Sequence, residues 1–141
     1  METINKTLIS VYSTINAPVD KVWNYWSEPA HIKNWNHASD DWHSPSVEND
    51  LRVDGKFKIN MAAKNGSYGF DFEGIYTKVE IHKLIEYTML DNRKVKIYLI
   101  PEGNITQIVE TFEAENTNSE ELQKQGWQSI LDNFKKYTES N

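Results

Sequence analysis

The residues best equipped for chemistry crowd into one stretch, from Asn34 to Phe57, and onto two glutamates further along. His37, Asp40, Asp41 and His43 fall within seven positions of one another. Imidazole and carboxylate together are a donor set that zinc or iron accepts. Their spacing matches no helix-borne metal motif such as HExxH. Asx turns and caps account for Asp and Ser in an irregular segment, so no metal is expected here. A histidine paired with a carboxylate is also a general acid–base couple. His37 or His43 folded over Glu86 or Glu110 would supply one. No nucleophile elbow, phosphate-cradling loop or dinucleotide fingerprint accompanies them. The balance leans away from an enzyme, and no cofactor is expected.

The aromatic residues point to binding. Trp35 and Trp42 sit where neither helical nor strand periodicity can be read, and large rings in a loop must be held by packing. The stretch therefore reads as a structured roof over something. With Phe57, Phe70, Phe72, Tyr76 and Trp127, these rings would line a cavity for a flat or lipid-like apolar ligand. The competing explanation is that they fill the core themselves.

The elements that must position these residues follow from periodicity. Lys6 to Ile15 alternates polar and apolar, with Ile9, Val11 and Ile15 on one side, and reads as a strand. Ala17-Pro18 opens a helix with proline at its first position. Val19, Val22, Trp23 and Trp26 form its apolar stripe, and Glu28-Pro29 ends it. A short further turn covers His31 to Trp35. From Gly55 a meander of strands is expected over Lys56–Ala63, Phe70–Ile81, Leu84–Leu90, Arg93–Ile100 and Ile105–Ala114, joined by turns rich in Asn, Asp and Gly. The last element is an amphipathic helix from about Ser119 to Tyr137, capped by Asn118 with Glu121 three residues on. Gly126 inside it costs about 1 kcal/mol against alanine, which suggests a neighbour that needs the space. A long helix after an antiparallel meander lies on the sheet's apolar face. The fold class is therefore α+β.

A register argument places side chains on faces. If Leu90 faces Arg93 across a two-residue turn, Glu86 lies opposite Ile97. If Pro101 faces Asn104, Ile97 lies opposite Ile108 and Val95 opposite Glu110. Glu86, Thr88, Val95, Ile97, Leu99, Ile108, Glu110 and Phe112 then share the inner face. A bulge at Gly74 would bring Phe57, Ile59, Met61, Phe70, Phe72, Ile75 and Val79 to the same interior. Two inward carboxylates would be polar anchors in an apolar pocket, unless Arg52, a tyrosine hydroxyl or the Trp127 N–H satisfies them. The candidate ligand-binding set is Trp35, His37, Trp42, Phe57, Met61, Phe72, Tyr76, Glu86, Ile97, Glu110, Trp127 and Ile130.

The segments WNHASDDWHSP and NDLRVDGKF, then FDFEGIY, LIEYTM, ETF and GWQSILDNFKKY, resemble in order the bacterial proteins similar to the activator of heat-shock protein 90 ATPase. That family lies in the START-like, or SRPBCC, superfamily, and the likeness runs from about Ile15 to Tyr137. The resemblance implies a helix-grip fold, a curved antiparallel sheet around a long C-terminal helix with two short helices after the first strand. It also implies either a hydrophobic ligand between sheet and helix or a heat-shock protein 90 chaperone as partner, with a link to stress response.

Composition sets the outer limits. At 141 residues, a single domain spanning 1–141 is expected, with a core of ordinary size. There is no cysteine, which removes disulfides and thiol chemistry and fits a cytoplasmic setting. A net charge of -6 argues against nucleic acid as a partner. No leader-like or membrane-spanning apolar run is present, so neither export nor membrane insertion is expected.

Overall fold

The computed structural model describes residues 7–141. Its elements run β1 (Leu8–Ile15), α1 (Val19–Ser27), α2 (Pro29–Trp35), β2 (Trp42–His43), β3 (Val47–Asn49), β4 (Lys56–Ala63), β5 (Gly69–Glu80), β6 (Leu84–Met89), β7 (Lys94–Glu102), β8 (Ile105–Glu113) and α3 (Glu120–Ser140). The strands form one antiparallel sheet in the order β1-β8-β7-β6-β5-β4-β2, with β3 also on β4. The sheet curls, and α3 lies in its concave face across β1, with α1 and α2 closing one end. This is the helix-grip arrangement expected from the sequence.

The helices bury part of the stripe expected of them: in α1 Val22 is buried, with Val19, Trp23 and Trp26 half-buried around it. Leu131, Phe134 and Thr138 of α3 are buried, and the Phe134 ring meets both Trp26 of α1 and Trp35 of α2 at 4.9 Å. Ile9, Val11 and Ile15 of β1 are buried as the alternation requires, although Lys6 lies outside the described residues. Pro18 caps α1 from just outside, one residue before the expected position, and Pro29 is the proline that starts a helix, α2. The cap of α3 is Ser119, whose hydroxyl accepts from the Leu122 N–H at 3.1 Å. Asn118, the expected cap, instead lends its carbonyl to the Gln123 side-chain amide at 2.9 Å. Leu122 is exposed, and Gln123 takes the buried position in its place.

The register departs from expectation at one hairpin. Between β6 and β7 the turn takes three residues, Leu90-Asp91-Asn92, with Asn92 in the left-handed region (φ 70°) and Met89 bonded to Arg93. That loop shifts the pairing by one residue, so Ile85 lies opposite Ile97 and Glu86 opposite Lys96. A one-residue slip turns every side chain over. Ile85, Tyr87 and Met89 therefore face the core, while Glu86 and Thr88 turn away from it. The β7–β8 pairing is displaced by two residues, which preserves the faces: Glu110 lies opposite Ile97 and Phe112 opposite Val95. Glu110 remains inside. The bulge in β5 falls between Tyr76 and Lys78, not at Gly74, and leaves Ile75 exposed. Gly74 has a different role, because a Cβ there would stand 2.5 Å from the Phe57 ring.

Candidate functional site

Between the concave face and α3 the fold leaves a cavity of about 340 Å³. Its walls come from nearly every element. Phe57, Ile59 and Met61 rise from β4, and Phe70, Phe72 and Tyr76 from β5. Ile85, Tyr87 and Met89 of β6, Ile97 of β7 and Glu110 of β8 complete the floor. Gly126, Trp127 and Ile130 of α3 form the roof, and Trp26, Ile32, Trp35, Asn36 and Ala38 close the end under the short helices. Asn49 and Arg93 stand on the wall as well.

The rings hold one another in fixed orientations. Trp127 stacks on Phe112 at 4.0 Å with planes 11° apart, and Phe72 meets its edge at 6.3 Å. Phe57 is the hub of the floor, in contact with Phe72, Tyr76 and Tyr87 at 5.3, 5.4 and 4.8 Å. Such offset and edge-on pairs are the preferred aromatic geometries. The rings therefore build a wall and leave space inside it, which separates a lined cavity from a filled core. Gly126 contributes to that space. Among the described residues, no atom outside its own stretch of helix comes within 4 Å of where its Cβ would be, so it opens room and accommodates no close neighbour, contrary to the sequence expectation.

The polar groups on the wall divide into spent and unspent. Tyr76 donates to Asn49 Oδ1 at 2.5 Å, and Asn49 Nδ2 donates to the Ser27 carbonyl at 2.7 Å, so this pair braces the segment containing β3. Arg93 is held by Asp91 Oδ2 at 2.7 Å and reaches the Glu113 carbonyl at 3.3 Å. The Trp35 indole N–H donates to the Tyr25 carbonyl at 3.0 Å. Glu110 is unspent. It is buried, and among the described residues its carboxyl has neither a hydrogen-bond partner nor an ion pair. Burial pushes its pKa up to about 8, so at neutral pH it is mostly the uncharged acid. Tyr87 is buried beside it and likewise has no partner for its hydroxyl among the described residues. Burial first, and the neighbouring Glu110 second, hold that phenol well above its ordinary pKa. The oxygens of Glu110 and Tyr87 open onto the cavity space, whereas among the described residues Asn36 Nδ2, His37 Nδ1 and Thr138 Oγ1 are fully enclosed without a partner.

Of the residues singled out in the sequence, Trp35, Phe57, Met61, Phe72, Tyr76, Ile97, Glu110, Trp127 and Ile130 come together on this wall. His37, Trp42 and Glu86 do not. Glu86 is turned to the other face, 3.7 Å from Lys96. Trp42 pairs at the sheet's edge with Tyr68 and Phe70, at 5.9 and 6.2 Å. His37 is half-buried behind the short helices, its backbone carbonyl accepting from Asn133 Nδ2. Desolvation, followed by nearby Lys64, lowers its pKa. Asp41 is held by the Ser39 hydroxyl at 2.5 Å, the local turn chemistry expected of this stretch. Among the described residues, His37, Asp40, Asp41 and His43 do not converge into a group of three able to hold a metal ion. No helix among these residues is long and apolar enough to cross a membrane. Sequence reasoning missed Tyr87 and Met89 as inner residues, although Ile85, Tyr87 and Met89 alternate cleanly enough to have shown the face.

Residues 16–139 match the family described as activator of Hsp90 ATPase homolog 1-like protein. The chain belongs to this family. The AHSA1-like protein from Aeromonas hydrophila is 42% identical, with a TM-score of 0.90 over 95% of this chain and 93% of that one. A protein from Cytophaga hutchinsonii is 51% identical, with a TM-score of 0.79 over 96% of this chain and 93% of its own. A protein from Chromobacterium violaceum shares the fold at 20% identity, with a TM-score of 0.85 over 96% of this chain and 99% of that one. No curated protein matches the chain significantly. The AHSA1-like fold typically binds hydrophobic ligands or acts as a chaperone cofactor.

Proposed function

We propose that this AHSA1-like protein binds a small, largely apolar aromatic or lipid-like molecule between the sheet and α3, without turning it over, in the cytoplasm. The observation that carries this reading is the cavity itself: side chains leave about 340 Å³ unfilled although aromatic rings surround it. A well-packed core of this size would not tolerate that void, since an unfilled cavity costs stability in proportion to its volume. Concave, apolar and sparsely polar is the usual character of a small-molecule site. The ligand-facing residues in this reading are Trp35, Phe57, Met61, Phe72, Tyr76, Ile97, Glu110, Trp127 and Ile130, joined by Tyr87 and Met89.

Amide and indole NMR spectra recorded against a panel of fatty acids, sterols and polyaromatics test it. Saturable shifts at Gly126, Trp127 and Tyr87 support the reading, and an unmoved spectrum across the panel refutes it. Family membership favours a second reading, partnership with a heat-shock protein 90 chaperone. Adding such a chaperone to the same labelled protein separates the two. Line broadening over outward-facing residues supports partnership, whereas shifts confined to the cavity support the ligand.

A further inference from the structure

The proposed ligand site holds two unspent polar groups on one face, and their chemistry narrows what fills it. Glu110 lies opposite Ile97 on β7, and Tyr87 opposite Val95, two residues along the same face of the same strand. Both side chains project into the cavity, diagonally across one intervening strand, close enough for Glu110 to influence the Tyr87 phenol. Neither has a hydrogen-bond partner among the described residues. A polar group buried without a partner is costly, and a buried phenol or acid ordinarily finds one. Here both oxygens open onto the cavity, so their partner comes from what enters it, water or the polar group of a ligand.

We propose that Glu110 and Tyr87 act as a pair of hydrogen-bond donors to one carbonyl oxygen, so that the cavity takes a neutral apolar ketone in preference to a carboxylic acid or an amine. This rests on the ligand-binding reading above and adds to it the ligand's polar group. An uncharged acid beside a phenol, both in an apolar pocket, is an arrangement suited to receiving a ketone oxygen. No charged neighbour among the described residues contributes to the shift at Glu110. Ile97 on β7 and Val11 on β1 flank it in register, and Trp127 and Ile130 face it from α3, all without charge. Tyr76 is bonded to Asn49, and Arg93, the cation on the wall, is committed to Asp91 and the Glu113 carbonyl. A carboxylate ligand would thus bury a charge with no unpaired cation among the described residues that line the cavity. An amine enters as an ammonium ion, and it would gain an ion pair only once Glu110 had released the proton that burial makes it keep at neutral pH.

The test uses four molecules on one skeleton: benzophenone, diphenylmethane, diphenylmethylamine and diphenylacetate. Calorimetry with the full chain gives the affinities, and the infrared carbonyl stretch of bound benzophenone reports hydrogen bonding to its oxygen. Each donor should strengthen ketone over hydrocarbon by roughly twofold to tenfold at pH 6. That preference should fall towards unity in Tyr87→Phe and Glu110→Met, and the carbonyl stretch should move back up. It should also decline in the unsubstituted protein as pH passes about 8, where Glu110 ionises and can no longer donate. In Glu110→Met it should be flat with pH. Equal binding of ketone and hydrocarbon overturns the donor pair while leaving the cavity reading intact. Tightest binding of the amine, strengthening as pH rises, overturns it in favour of a cation paired with the carboxylate, and tightest binding of diphenylacetate does so in favour of an anion. If none of the four binds, the cavity reading and the donor pair fall together.

Discussion

Glu110 is the residue at which function and stability are in tension. An ordinary glutamate in an unfolded chain ionises near pH 4.5, whereas in the fold it holds its proton to about pH 8. Between those values the unfolded chain has released a proton that the native state retains. Stability from this group is therefore complete below about pH 4.5 and is lost as pH rises to about 8, at roughly 1.4 kcal/mol per pH unit. Glu110→Gln keeps the shape and removes the titration. The variant should be more stable than the parent by a few kcal/mol at pH 8 and show no advantage at pH 4, with the difference rising steadily between. Urea unfolding at four or five pH values measures it. A parallel pair of curves would mean that water or another group already compensates the carboxyl. That a protein retains so costly a residue is itself an argument for a role in binding, since active and binding sites are where perturbed groups gather.

At the scale of elements, two glycines distinguish a site that is packed from one that is open. In β5, a Cβ on Gly74 would sit 2.5 Å from the Phe57 ring, and that ring is fixed between Phe72, Tyr76 and Tyr87. Gly74→Ala should cost about 1–3 kcal/mol through overpacking. In α3 the opposite holds at Gly126, where among the described residues a Cβ meets nothing within 4 Å outside its own stretch of helix. Gly126→Leu should gain about 1 kcal/mol of helix propensity, raise the melting temperature, and fill the cavity so that ligand no longer binds. Thermal melts of both variants, with calorimetry on the second, decide whether the cavity is a functional space. A Gly126→Leu protein that still binds with parental affinity would place the ligand elsewhere.

Much of this element-level picture was legible in the sequence. Strand and helix segments followed from periodicity, and the family-like motifs gave their order. What could not be read was the turn at Leu90-Asp91-Asn92. Asp91-Asn92 is a credible two-residue turn, but Asn also tolerates the left-handed conformation that a three-residue loop needs, and the choice between them inverts β6. Glu86 and Tyr87 exchanged places for that reason alone. The β7–β8 turn was misjudged by two residues, and because the side-chain period is two, Glu110 stayed on the correct face. Nor does a sequence show emptiness: Gly126 looks the same whether a neighbour crowds it or nothing stands there.

The whole molecule is a grip in which α3 touches the sheet along one side and spans the cavity along the other. On the β1 side, α3 packs directly against the sheet, whereas over β4–β6 the cavity separates them. The two sides of the helix are thus held unequally, and the Gly126–Ile130 turn is a roof with space beneath it. A ligand that fills this space adds contacts to the roof, to the Trp35–Ala38 end and to the floor of β4–β6, and adds none to the outer faces of β1 and β8. Ligand at 100 times its dissociation constant should stabilise the fold by about 2.7 kcal/mol. The gain should not be spread evenly. Amide hydrogen exchange should slow most in α3 around Gly126–Ile130 and at Asn36–Ala38, and least in the β7–β8 turn at Gly103-Asn104, which lies away from the cavity. Local opening, not global unfolding, governs exchange where few buried contacts hold a segment, so protection beyond the global gain would mark the roof as the part that opens to admit ligand. Uniform protection across all elements would instead mean that α3 is already closed without ligand, and that access runs through the edge beside Trp42 and Phe70.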